Sequence, residues 1–268
     1  MMDILATEIQ FICSGLITTD NFLTTQCIIW GILLVLYHIS MKLIIFAKLK
    51  SELMLASFVF LFFLIPSLYL ATYVGSPWWF LFYLSFLVAL SALQFAPYYN
   101  FEHKGAGGMI RLFIQGLALI QLDSIVISGD HSIQLELLMI SPHLIYQSWR
   151  VVKELTTFNE DNKMKIITTA ILLGKHDSFK LFLTMHIFAA AYVVIDSLSD
   201  SFFRLMPLAL IPWLVNLCYK VRLLRTKNLS FEMFSYVVCY YALTVIGIKL
   251  SRYDLGQINQ FLSSKIWG

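Results

Sequence analysis

The sequence predicts an all-α, polytopic membrane protein of about nine transmembrane helices, and three observations carry that prediction. Of 268 residues, 59% are hydrophobic and 13% charged, where a soluble domain carries about 25% charged residues. Sixteen acidic and 19 basic side chains are too few to keep a folded surface of this size in water, so lipid must solvate most of it. Finally, apolar runs recur that are long enough to cross a hydrocarbon core about 30 Å thick at ~1.5 Å rise per residue.

In chain order, a shorter and weaker run at 4–19 precedes eight clear ones near 25–47, 52–74, 78–98, 109–128, 132–150, 178–197, 203–219 and 231–250. The runs are continuous rather than alternating, which predicts helices and excludes a barrel. Asp3 and Glu8 in the first run and the lack of a basic leader argue against a cleavable signal peptide. The whole chain, 1–268, reads as one transmembrane domain.

The connections alternate in charge. Those at 18–24, 75–77, 129–132 and 197–202 contain no Lys or Arg, whereas 15 of the 19 basic residues cluster around the others; Arg204, Lys249, Arg252 and Lys265 are the exceptions. By the positive-inside rule the basic face is cytoplasmic, and nine spans then put the N-terminus in the cytoplasm. A bacterial inner membrane is the simplest location. A net charge of +3 gives no reason to expect a nucleic-acid partner. Cys13, Cys27, Cys218 and Cys239 lie far apart in apolar runs and read as small buried hydrophobes.

The longest polar interruption is 151–177, VVKELTTFNEDNKMKIITTAILLGKHD. If the sixth helix continues into it, His143, Gln147, Arg150, Glu154, Thr157 and Asp161 recur at spacings of 4, 3, 4, 3 and 4 and share one helical face. Such a stripe should face a cavity, because polar groups pointed at lipid are costly; alternatively Arg150 and Glu154 simply pair at the membrane surface. Asp123 falls mid-span, where acids are rare and commonly functional, with Gln115, Gln121 and Ser124 as candidate partners. No Walker loop, dinucleotide fingerprint, HExxH or GxSxG motif occurs, and the glycines of HKGAGG at 103–108 read as a turn. His38, His131 and His186 form no ligand-like group, and Trp78/Trp79 and Tyr98/Tyr99 sit at span ends, as an interfacial aromatic belt does.

The segment DNKMKIITTAILLGKHD, entered from a span carrying PHLIYQSWR, resembles the second conserved region of the UbiA superfamily, the intramembrane aromatic prenyltransferases, and most of all 4-hydroxybenzoate polyprenyltransferases. PYYNFEHKGAGGMIRLFIQGLAL and LKSELMLASFVF resemble the family's fourth–fifth connection and the opening of its third helix. The resemblance covers roughly 25–225 and implies a UbiA-like bundle around a central cavity. It also implies an activity, transfer of a prenyl group from a prenyl diphosphate to a lipophilic acceptor among the membrane lipids, with Mg²⁺ as cofactor. Divalent cations and basic side chains would absorb the charge of the diphosphate leaving group.

The acids depart from the family pattern. Motif positions 150, 157 and 161 hold Arg150, Thr157 and Asp161, and the stretch expected to carry the first motif, 26–46, contains no acid. The site that the resemblance implies is therefore an altered one. Asp161, Glu160 and Glu154 are its catalytic carboxylates, with Asp161 and Glu160 on the metal. Arg150, Lys153, Lys163 and Lys104 neutralise the diphosphate, and Asp123, His143 and Gln147 are polar residues of the cavity. The competing reading is a non-catalytic isoprenoid-binding or partner subunit, which the missing acids favour; a transporter is weaker, since no inverted repeat is evident. Clustering of Glu154, Glu160 and Asp161 opposite Lys104 would favour the enzyme, and dispersal the binding protein.

Overall fold

The computed structural model describes residues 2–18, 24–46, 50–95, 114–164, 167–199, 201–223 and 228–252. These form nine α-helices: α1 (Met2–Thr18), α2 (Thr25–Phe46), α3 (Lys50–Leu70), α4 (Pro77–Phe95), α5 (Ile120–Ser128), α6 (Ile133–Lys163), α7 (Thr169–Ser199), α8 (Ile211–Leu223) and α9 (Leu229–Arg252). A π-helical segment, Ile114–Leu119, leads into α5, and a 3₁₀ segment, Phe202–Leu210, leads into α8. Three stretches, Thr169–Leu198, Phe202–Leu223 and Leu229–Ser251, are long and apolar enough to cross a membrane; shorter apolar helices cover Glu8–Ile17, Thr25–Met41, Met54–Leu70 and Pro77–Leu93. The outer surface is apolar, with Met54, Phe58, Phe62, Ile65 and Tyr69 exposed along α3 and Ile187, Phe188, Ile195 and Leu198 along α7. Exposed rows of this kind suit lipid and not water.

Two hydrophobic cores share α1. One gathers α2, α3, α4 and α5 around Trp30, Phe63, Phe80 and Leu122, and takes Phe11 from α1. The other gathers α6, α7, α8 and α9 around Trp149, Phe182, Leu217 and Met233, and takes Cys13 and Ile17. Helix α1 thus lies between the halves, packed on α2, α5, α6 and α9. Its buried Gln10 and Ser14 weakened its apolar signal in the sequence, because a helix surrounded by helices need not be lipid-soluble on every face.

Helices α6 and α7 correct the sequence-based boundaries. Residues 151–163 continue α6 to a length of 31 residues, and α7 begins at Thr169 instead of 178. The polar interruption is therefore two helix ends joined by a short elbow. Gly174 breaks α7 just inside it, with φ 76° and ψ 165°, a conformation essentially restricted to glycine. Buried side-chain hydrogen bonds lock this half: Ser141 Oγ donates to the Ala189 carbonyl at 3.1 Å and lies 2.6 Å from the Tyr240 hydroxyl, and the Trp149 indole donates to the Ser230 carbonyl at 2.9 Å.

At the opposite end the connections at 75–77 and 129–132 interlock. The Ser76 hydroxyl donates to Asp130 Oδ1 at 2.8 Å, as does the His131 backbone N–H, while the His131 ring lies over Trp79 with centroids 4.5 Å apart. A Cβ at Gly75 would fall 2.5 Å from the Gly129 carbonyl oxygen, so one backbone would have to move. Gly75→Ala is expected to cost ~1–3 kcal/mol by thermal unfolding in detergent. Gly31→Ala, whose Cβ would meet only ordinary contacts from 3.5 Å outward, is the near-neutral control.

Asp130 makes this junction sensitive to acid. The Ser76 hydroxyl, then the His131 backbone and ring, hold its carboxyl below the ordinary 3.8. A depressed carboxyl contributes its stabilisation in full above the unfolded value and loses it as pH falls through the folded value. The difference in thermal midpoint between the native chain and Asp130→Asn should persist at neutral pH and close only below 3.8.

Candidate functional site

The stripe along α6 is turned inward throughout: His143 and Gln147 are buried and Arg150, Glu154, Thr157 and Asp161 partly buried. The α-helical period put all six on one face, and packing on α7 and α9 buries that face. Gln147 Nε2 lies 3.4 Å from His143 Nε2; an amide N–H only donates, so the ring nitrogen accepts.

Toward the elbow, the carboxylates are taken up one by one. Glu154 Oε2 accepts the Ala170 backbone N–H at 3.2 Å, next to Thr168, whose hydroxyl accepts from the Ile171 N–H at 3.3 Å. Two otherwise orphaned donors at the start of α7 are thereby satisfied, and the negative charge sits at the positive end of that helix. Asp161 Oδ2 accepts from the Thr157 hydroxyl at 2.7 Å. Glu160 is exposed, and its backbone carbonyl accepts the Met164 N–H at 3.0 Å.

Basic side chains line the C-terminal part of α6 and the start of α7. The Lys153 ammonium is 5.5 Å from the centre of the Trp149 ring, within cation–π range, and Lys163 is exposed on the last turn of α6. Sequence reasoning left Lys175 out of the site; the break at Gly174 carries it back onto α6, 4.9 Å over the Phe158 ring and 3.4 Å from Asn159 Oδ1. A glycine directly before a lysine was the only available sign. Lys104 lies outside the described residues, so its place opposite the acids does too.

The carboxylates were expected to hold Mg²⁺. Glu154 and Asp161 are seven residues apart on one helix, ~10 Å along its axis, whereas the oxygens around one Mg²⁺ lie about 2.1 Å from the ion. Each already has an oxygen committed inside the protein, and among the described residues no three His, Cys, Asp or Glu converge. Glu154 is thus too far along α6 to share an ion with Asp161, and for the expected metal pair, Asp161 and Glu160, the described residues supply no third ligand of these types.

Asp123 is fully buried, and its partner is neither Gln121 nor Ser124. The Trp30 indole N–H donates to Asp123 Oδ1 at 2.8 Å, joining α2 to α5, while Asp123 Oδ2 has no hydrogen-bond partner among the described residues. Gln121 instead binds Glu136 Oε2 at 2.8 Å and takes the Ser132 N–H at 3.0 Å, and Ser124 donates to the Asp130 carbonyl at 2.9 Å; both fasten the α5–α6 turn. The Gln115 side chain lies outside the described residues. His38 and His186 bond backbone carbonyls within their own helices. Cys13 and Cys27 are buried, Cys218 and Cys239 half-buried, and all four are free thiols. A groove of about 300 Å³ between α1 and α2 is lined by Glu8, Phe11, Gly31 and Ile32, away from the elbow.

The fold defines a class, an all-helical protein with helices able to cross a membrane. Comparison goes no further: no family model matches the chain, and no curated protein matches it.

Proposed function

We propose that the chain is a membrane-embedded, UbiA-like protein that binds an isoprenoid diphosphate at the α6–α7 elbow and holds or presents it without metal-dependent transfer. The supporting observation is the dispersal of the elbow's acids: Glu154 caps α7, Asp161 binds Thr157 and Glu160 faces outward, while Lys163 stands on the last turn of α6 and Lys175 lies against Asn159, with Lys153 and Arg150 about 15 and 20 Å further along the helix. A diphosphate binds to such a surface by charge and N–H donation. In this reading nine helices span a bacterial inner membrane with the N-terminus cytoplasmic, which sets the basic elbow in the cytoplasm.

The second reading is Mg²⁺-dependent prenyl transfer to a lipophilic acceptor, and one observation favours it. Asp161 and Glu160 sit side by side on the last turns of α6 within reach of solvent, where a diphosphate could bring the ion with it. A photoreactive farnesyl diphosphate analogue distinguishes the elbow from other sites. Crosslinks confined to peptides spanning 150–180 support the proposal; crosslinks elsewhere, or none, would sink it.

A further inference from the structure

At the end of the bundle away from the basic elbow, a second cavity lies between the start of α6, the end of α7 and the 3₁₀ segment. Its volume is about 420 Å³, and Gln134, Leu137, Tyr192, Ile195, Asp196 and Arg204 line it. Arg204 was an exception to the charge pattern of the chain, and its side chain is only 7% exposed. Its guanidinium donates from Nη1 to Asp196 Oδ2 at 2.9 Å and from Nε to the Ser251 hydroxyl at 3.2 Å. The neighbouring backbone is held tightly, since a Cβ at Gly247 would fall 2.5 Å from the Phe203 carbonyl oxygen. The cavity therefore presents a rigid pair of opposite charges on one wall, Arg204 buried and Asp196 24% exposed.

The other wall is apolar and continues onto the outside of the molecule. Leu137 and Ile195 belong both to the cavity and to the exposed apolar surface, beside Leu198 and Phe202, which are more than four-fifths exposed at 83% and 81%. A ligand that fits has a head carrying both charges and a tail that lies on this surface. A purely anionic head would meet the Asp196 carboxylate as it approached Arg204, and a purely cationic one the reverse. A phosphate joined to an amine satisfies both at no net charge, which matters where solvation is poor.

We infer that this cavity is a headgroup site for a zwitterionic phospholipid, the phosphate turned to Arg204 and the ammonium to Asp196. The inference rests on the membrane embedding proposed above and is independent of the isoprenoid reading. The test is thermal unfolding of the purified full-length protein in detergent, titrated with dihexanoyl phosphatidylethanolamine, the matching phosphatidylglycerol, and glycerophosphoethanolamine without chains. Half-saturation should come at about tenfold lower concentration with phosphatidylethanolamine than with phosphatidylglycerol. Leu137→Trp, which fills the cavity and leaves the ion pair intact, should abolish the effect with the lipid-free midpoint retained, and Asp196→Asn should erase the preference. Equal response to both lipids, or an unchanged response in Leu137→Trp, overturns the site; an equal response to the chainless headgroup overturns its assignment to a lipid. Extraction of the native membranes at alkaline pH separates this from the embedding itself: release of the chain refutes embedding, whereas retention without lipid preference refutes only the headgroup site.

Discussion

Trp30→Phe is expected to lower the stability of the detergent-solubilised protein by ~2–4 kcal/mol, although the packing of the ring is largely kept. Trp30 is completely buried, with Phe80 edge-on at 5.6 Å and Phe63 at 6.5 Å. Phenylalanine preserves much of that contact and deletes the indole N–H. Asp123 Oδ1 then loses its 2.8 Å donor, and Oδ2 has no hydrogen-bond partner among the described residues to compensate. A buried polar group left unsatisfied costs ~1–3 kcal/mol, more when it is ionised, and the lost ring volume adds to this. The double variant Trp30→Phe/Asp123→Leu should recover most of the loss, because removing both partners of a buried hydrogen bond is far cheaper than removing one. Thermal unfolding of the four proteins in a double-mutant cycle measures the coupling; simply additive losses would show that the Trp30–Asp123 bond is not what Trp30 supplies.

Gly174→Ala should have the second largest effect, and it should be felt at the elbow. A Cβ there would meet nothing within 4 Å, so the cost comes only from the backbone, φ 76° and ψ 165°, at ~1–3 kcal/mol. The chain can relieve it by letting the first turn of α7, Thr169–Leu173, swing away from α6. That movement pulls the Ala170 N–H from Glu154. Amide exchange at Ala170 should accelerate in Gly174→Ala, while amides in the middle of α7 stay protected. Uniform acceleration along α7 would mean general destabilisation instead of a local hinge.

Much of this architecture is legible in the sequence because helices apolar enough to cross a membrane leave a simple pattern in it. Continuous apolar runs mark α2, α3, α4 and the later helices, and the spacing from His143 to Asp161 identifies the inward face of α6. What is not legible depends on contacts between distant residues. Asp123 and Trp30 are 93 positions apart, so the nearby Gln121 and Ser124 looked the better partners. Helix α1 looked marginal because Gln10 and Ser14 are polar, yet they are polar because protein surrounds them. The acids at the elbow could be recognised as a group, but no spacing reveals that a backbone N–H at Ala170 has claimed Glu154. The boundary of α7 was misplaced because Lys175, His176 and Asp177 read as loop, whereas the helix already begins at Thr169 and is broken only at Gly174.

In the proposed function, basic residues at the elbow hold an isoprenoid diphosphate without a metal. Equilibrium binding of farnesyl diphosphate to the purified protein, with Mg²⁺ and with a chelator, tests it most directly, comparing the native chain with Asp161→Asn and with the pair Lys163→Gln/Lys175→Gln. The account predicts similar affinity with and without Mg²⁺, little change in Asp161→Asn and a loss of about tenfold or more in the doubly neutralised variant. Binding that requires Mg²⁺ and disappears in Asp161→Asn would contradict it and establish a working metal site; no binding under either condition would remove the diphosphate reading altogether.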